Sequence, residues 1–147
     1  MSTHRLLHVR VAIAVIERRG RYLICQRRAD DHLGGYWEFP GGKKESGESW
    51  ETCLRRELRE ELDVAVGDLR PFGRIHHRYA DRQISFRIYR CQLTRGRPKP
   101  LGAQAVRWVA ATQLSRYRFP PADRSLIDRL YRESPLSCRR RRAIIKR

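Results

Sequence analysis

The chain is poor in acid. Its 147 residues carry 33 Lys and Arg against 16 Asp and Glu, a formal charge of +17. Not one Asp or Glu lies between Asp81 and Asp123. Cysteine is sparse too: Cys25, Cys53, Cys91 and Cys138 stand far apart with no C-x-x-C pair. That argues against a zinc site or a disulfide framework and fits a reducing cytosol, so a cytoplasmic enzyme is expected. No apolar run approaches the ~20 residues that span a bilayer. The first 20 residues lack the layout of a signal peptide, and no internal repeat is visible. What remains is one domain, expected over residues 1–133, long enough to bury a proper core. Residues 134–147 (SPLSCRRRRAIIKR) have little to bury and read as a basic, disordered tail. The positive balance attracts polyanions, which raises nucleic-acid binding as a competing function. Six of the charges sit between Arg139 and Arg147, however, so the tail is the expected place for a weak nucleic-acid contact.

The few acids are crowded. Residues 41–64, GGKKESGESWETCLRRELREELDV, end in a helical pattern that carries Glu57, Glu60 and Glu61 three and four residues apart, hence on one face. Leu54, Leu58 and Leu62 form the apolar stripe that anchors this helix on a core and leaves the acids at a cleft edge. Like charges at this spacing destabilise a helix by roughly 0.2–0.5 kcal/mol per pair. A hard cation such as Mg²⁺, which takes oxygen ligands and shares them with phosphates, reverses that sign. A plain solvated face, with Arg55, Arg56 and Arg59 neutralising the acids, is the alternative reading of these charges.

Around this stretch the pattern is mixed. Residues 9–17 (VRVAIAVIE) suit a strand buried on both faces, and residues 22–26 return as a second strand after a turn at Gly20. Residues 27–36 form a polar loop, residues 37–39 a short strand, and residues 68–71 a turn. Strands follow at 72–79 and 83–93, then a Pro/Gly/basic loop at 94–103, a strand at 106–109, and a helical turn at 111–114. The paired prolines 120 and 121 mark the start of a second helix over 124–132. Strands with two helices indicate an α+β sandwich.

The full spacing carries more than the acids alone. Gly42, Glu48, Arg56-Glu57-Leu58, Glu60-Glu61 and Val64 resemble the box of the Nudix hydrolases, G-x5-E-x7-R-E-U-x-E-E-x-G-U, with Asp63 in place of the last glycine. Asp tolerates the left-handed conformation that glycine takes after a helix, so the helix end is expected to survive. The flanks (Arg27, ADDH, WEFPGGK and FPPAD) resemble the MutT-type nucleoside triphosphate pyrophosphohydrolases. The resemblance implies a Nudix fold: a mixed sheet between helices, with the box as loop-helix-loop. It implies hydrolysis of a nucleoside triphosphate, 8-oxo-dGTP above all, to monophosphate and pyrophosphate. CTP or 5-methyl-dCTP is the alternative substrate, and a non-catalytic module that binds oxidised guanine is the alternative of another class. It further implies Mg²⁺, with Mn²⁺ as a substitute, held by Glu57, Glu60, Glu61 and the Gly41 carbonyl. Glu48 and Arg56 are expected to brace the loop. Arg27, His32, Glu38, Phe39, Pro40, Gly41 and Asp123 are expected around the substrate of a monomeric enzyme. Relatives often carry a glutamate in the loop before the last strand. This chain has none, so the general base falls to Glu57 or Glu60. Asp123 replaces a base-reading Asn; as the residue opening the second helix it also suits an N-cap. Phe119, Trp37 and Tyr79 are candidates for stacking on a base or for the core.

Overall fold

The computed structural model describes residues 5–135; the expected C-terminal tail lies almost wholly outside them. The fold is built on one long central strand, β1 (Leu7–Arg18), whose apolar middle is buried on both faces. It runs parallel to β6 (Arg82–Arg95), which pairs antiparallel with the edge strand β5 (Ala65–Arg78). On its other side β1 turns through Arg19 and Gly20, both at positive φ, into β2 (Arg21–Gln26). That conformation suits a tight hairpin whose twist matches its strands. β2 pairs with β3 (Trp37–Glu38) and with β7 (Ala105–Ala110), and β4 (Gly41–Lys43) pairs with β1 at Val11–Ile13. The result is a mixed seven-stranded sheet, as the sequence pattern indicates.

Each face of the sheet carries a core and a helix. On one side α1 (Trp50–Leu62) buries Cys53, Leu54, Leu58 and Leu62 against Ala12, Ala14, Tyr89 and Cys91. On the other, α2 (Arg124–Glu133) places Leu126 and Leu130 against Val15, Ile24, Phe39 and Ile88. Among the described residues no helix is long and apolar enough to cross a membrane.

Three local expectations change. The glycine pair is not loop: Gly41 and Gly42 pair with Ile13 and Ala12 as part of β4. The turn expected at residues 68–71 lies inside β5, where Asp68 takes φ 57° and the register slips between Gly67 and Arg70 and between Pro71 and Gly73. Turn-forming residues here make bulges in an edge strand, which is where proline is tolerated. Tyr79 sits in the turn that closes the β5–β6 hairpin, 49% exposed beside His77 and Arg82, so it does not join the core.

The helix α1 starts at Ser49, whose Oγ accepts from the Thr52 amide at 3.0 Å. It ends at Asp63 in the left-handed conformation, φ 56° and ψ 44°, with its amide bonded to the carbonyls of Arg59 and Leu58. The helix end expected at the departure from glycine is therefore kept. A left-handed non-glycine residue stores about 1–3 kcal/mol of strain, less for Asp than for a branched side chain. Unfolding free energies from urea titration should rank Asp63→Gly at or above the parent. Asp63→Val should fall below the parent by at least about 1 kcal/mol. Tolerance of valine would refute the strained cap.

Candidate active site

The loop between β4 and α1 is tied down by one arginine. Arg56 Nε and Nη2 donate to the two oxygens of Glu48 at 3.1 and 2.7 Å. Nη1 reaches Glu57 Oε1 at 2.9 Å and Glu60 Oε2 at 3.2 Å, while Nη2 also donates to the Lys43 carbonyl at 3.1 Å. The Arg56 and Glu48 side chains are only 18% and 12% exposed, so this is a bidentate pair rather than surface decoration. The bonds from Arg56, with one from the Glu45 amide, lower the Glu48 pKa to about 2. The brace expected between Glu48 and Arg56 is present in this geometry.

The acids divide by burial. Glu60 is exposed, whereas Glu57 and Glu61 face inward. Burial raises the Glu57 pKa against the opposing pull of Arg56. Burial raises Glu61 further, to about 8, with Glu57, Glu38 and Glu60 adding like charge. The carboxyl of Glu57 lies where a side chain on Gly42 would be: a Cβ there would stand 2.2 Å from Glu57 Cδ. Gly41 has φ 155°, and a Cβ on it would fall 2.0 Å from the Ala12 carbonyl oxygen. Both glycines are thus required by close approach, one of backbone to strand and one of backbone to carboxylate.

Among the described residues no three His, Cys, Asp or Glu side chains already converge on a single point. The donor chemistry nonetheless fits a hard divalent cation. The candidate ligands are all oxygens, and burial pushes Glu57 and Glu61 toward the neutral form, with Glu57 adding like charge to Glu61.

From Glu61 the acids continue toward the far side of the sheet. Glu38 on β3 influences both Glu61 and Asp123. Its own pKa is raised, chiefly by burial and against Arg27. Asp123 is raised to about 6 by burial first and Glu38 second. Its side chain makes no capping bond to α2, so the N-cap alternative is not realised. Arg27 does not point free: Nε donates to the His32 carbonyl at 2.7 Å and Nη1 to Glu38 at 3.0 Å. It folds the 27–36 loop onto β3. His32 takes part through its backbone, and the residue is exposed. Phe39 is buried with its ring 5.3 Å from that of Phe119. Pro40 is fully buried, its carbonyl accepting from the Ala14 amide at 2.8 Å. Trp37 is core, edge-on to Tyr117.

One contributor has no counterpart in the sequence pattern. The acid-free loop before β7 closes the end of α1 with its backbone. Lys99 donates to the Leu62 carbonyl at 2.9 Å, and Leu101 and Gly102 donate to the Glu61 carbonyl at 3.0 and 3.1 Å. A Cβ on Gly102 would come within 3.0 Å of Glu61 Cγ. The two glycines and two prolines of this loop were its only sequence signal.

Comparison with known proteins agrees with this architecture. The profile of the NUDIX domain matches residues 11–129. An Escherichia coli K12 protein named 8-oxo-dGTP diphosphatase is 30% identical over 84% of this chain and 97% of its own length. The CTP pyrophosphohydrolase of the same organism is 35% identical over 82% of this chain and 89% of its own. The crystal structure of a MutT NUDIX hydrolase from Burkholderia pseudomallei superposes with a TM-score of 0.74 at 25% identity, covering 82% of this chain and 96% of that one. The bracing pair of Arg56 and Glu48, the inward acids of α1 and the match over residues 11–129 lead to one conclusion: this chain belongs to the NUDIX domain family and is a Nudix hydrolase.

Proposed function

We propose that the chain is a Mg²⁺-dependent nucleoside triphosphate pyrophosphohydrolase that prefers 8-oxo-dGTP and accepts Mn²⁺ in place of Mg²⁺. In this reading it is a cytoplasmic monomer whose working domain is residues 1–133. Glu57, Glu60, Glu61 and the Gly41 carbonyl are the groups that would hold the cation. When bound, the cation neutralises charge on phosphate oxygens and acidifies water. The chain's own groups do the rest. Arg56 fixes the angle between the loop and α1. Arg27 and Glu38 hold the 27–36 loop against the cleft. Glu57 or Glu60 takes the proton of the attacking water, because the loop before β7 brings no acid to α1, only backbone amides and the Lys99 ammonium on Asp63.

The observation that carries the substrate is the state of Asp123. Guanine presents two acceptors, O6 and N7, on its outer edge. Oxidation at C8 puts a proton on N7, so that edge becomes one acceptor beside one donor. A neutral carboxyl offers one donor and one acceptor and matches it; an ionised carboxyl only accepts and meets O6 with a like partner. Burial and Glu38 lift Asp123 to about 6, into the range where the neutral form is accessible near neutral pH. The ionised form suits the cytosine amino group instead. Together with the 35% identity to a CTP pyrophosphohydrolase, this supports a cytosine nucleotide as the second reading.

A first assay is pyrophosphate release with Mg²⁺ from 8-oxo-dGTP, dGTP, CTP, 5-methyl-dCTP and ADP-ribose. Turnover of 8-oxo-dGTP should far exceed that of dGTP and be abolished in Glu61→Gln. Turnover of CTP above 8-oxo-dGTP would replace the first reading by the second. The pH dependence supplies an internal control. The ratio of kcat/KM for 8-oxo-dGTP over CTP should climb as pH falls from 8 through about 6, where Asp123 gains its proton. Asp123→Asn, which keeps a donor and an acceptor at every pH, should flatten that climb. Asp123→Ala should lower kcat/KM for 8-oxo-dGTP by about 10- to 100-fold, in line with 1–3 kcal/mol for a base-reading pair. A ratio constant with pH in the parent would exclude this role for Asp123. Gly42→Ala separates site from scaffold. The added methyl meets the movable end of Glu57 rather than backbone, so kcat should drop by at least about 10²-fold while stability changes by less than about 1 kcal/mol.

A further inference from the structure

The α1 side of the sheet is only partly covered by its helix. Beyond Trp50, three strands continue, and their register arranges nine side chains in rows on that face. His8, Gln83 and Arg78 form one row; Arg10, Ser85 and His76 the next; Ala12, Arg87 and Arg74 the third. The face is fixed by Ala12, which packs in the core beneath α1. Arg87 marks the helix boundary, its guanidinium 4.6 Å above the Trp50 ring. None of the nine is acidic. Arg10, Arg74, His76 and Arg78 are exposed, and among the described residues Arg10, Arg74, Arg78 and Arg87 form no ion pair with a carboxylate. The centre is ordered: Ser85 Oγ lies 2.7 Å from His8 Nε2 and 2.9 Å from His76 Nδ1, and the two imidazoles meet edge to face at 6.0 Å. Lys44 enters beside the second row, its amide bonded to the Arg10 carbonyl at 2.7 Å.

Unpaired cations held at strand spacing carry a standing repulsion that only an anion removes. The shape selects among anions. A compact phosphate site needs donors converging on one point, and this face is a three-stranded sheet. Rows along a strand repeat every ~6.7 Å and strands every ~4.8 Å, so the charges form a track rather than a cup. A track of fixed cations with imidazole rings among them suits an extended chain of phosphates with unpaired bases. We propose that this face, centred on Arg10, Ser85, His76 and Arg74, binds the backbone of single-stranded nucleic acid without reading its sequence. It is separate from the acids of α1, and the arginines it uses have no part in holding the cleft.

The test is fluorescence anisotropy of a labelled oligothymidylate of about 15 nucleotides with the full chain, across a salt series. Two variants are compared with the parent: Arg10→Gln/Arg74→Gln/Arg78→Gln, and one with Arg139, Arg140, Arg141 and Arg142 all changed to Gln. Loss of three phosphate contacts should weaken binding at low salt by at least about 10-fold and reduce the slope of log K against log salt by about 2, at roughly 0.7 per contact. Triphosphate hydrolysis by the sheet variant should equal that of the parent, which shows that it folds. The proposal is overturned if the sheet variant keeps the parent's affinity and slope while the tail variant loses both. It is equally overturned if the parent binds no oligonucleotide, or if phosphatidylserine vesicles bind it and the oligonucleotide does not displace them.

Discussion

A single guanidinium holds the catalytic helix in working order. Arg56 faces Glu48, Glu57 and Glu60 together, with Glu45 at 3.9 Å. Four carboxylates in so small a space repel, and each is useful only if it stays ionised and in place. Arg56 does both: it drives Glu48 down to about 2 and opposes the upward push of burial on Glu57. Removing one partner of a well-hydrogen-bonded, mostly buried pair leaves the others uncompensated, which is more damaging than the net worth of the pair itself. The loop residues 43–49 have few apolar contacts of their own. Their position therefore depends on this bond set and on the Ser49 cap, and the approach of Gly42 to Glu57 depends on it in turn.

The charge distribution of the whole chain gains sense from this. A protein with a formal charge of +17 concentrates Glu57, Glu61, Glu38 and Asp123 along one path across the sheet. The surrounding field attracts polyanions from a distance, while the path itself is lined by half-buried carboxyls whose ionisation burial opposes. An anion drawn to the surface is not thereby held in the cleft; it stays there only with charge that compensates the acids. In the proposed function attraction and discrimination are separated in space, the first left to arginines spread over the strands, the second to a few carboxyls whose proton occupancy burial shifts.

The helix and its acids were legible in the sequence because helical periodicity converts spacing directly into a shared face. Leu54, Leu58 and Leu62 fall in the core, and Glu57 and Glu60 meet the same arginine, as their spacing requires. β1 was legible from its nearly continuous apolar run, and β6 from the alternation of Ile84, Phe86 and Ile88 with Ser85, Arg87 and Tyr89. What could not be read depended on partners distant in the chain. Gly41 and Gly42 look like loop until β1 lies beside them. Asp68 and Pro71 look like a turn until β6 supplies a strand to bulge against. Arg27 resembles a free phosphate ligand, yet Glu38, eleven residues on, takes its guanidinium. Asp123 has the right type and place for an N-cap, and only the fold shows that its carboxyl makes no capping bond and is desolvated instead.

That burial ties the site to stability with a definite sign. Asp123 and Glu61 have folded-state pKa values raised to about 6 and about 8 from ordinary carboxyl values of 3.8 and 4.5. A group raised in the folded state contributes stability that is fully present below its unfolded pKa and is lost as pH rises through its folded pKa. The loss is at most about 1.4 kcal/mol for each pH unit between the two values. Both residues therefore weigh against the unliganded fold at neutral pH, Asp123 over the window from about 4 to 6 and Glu61 from about 4.5 to 8. Glu48 acts in the opposite sense: with its pKa lowered to about 2, its contribution is present above 4.5 and lost as pH falls toward 2. The brace stabilises at the pH where Asp123 and Glu61 strain. Under the proposed function, a cation beside Glu61 or a donor and acceptor facing Asp123 would relieve that strain on binding, and the unfavourable burial of these two side chains would become selectivity for ligands that neutralise them.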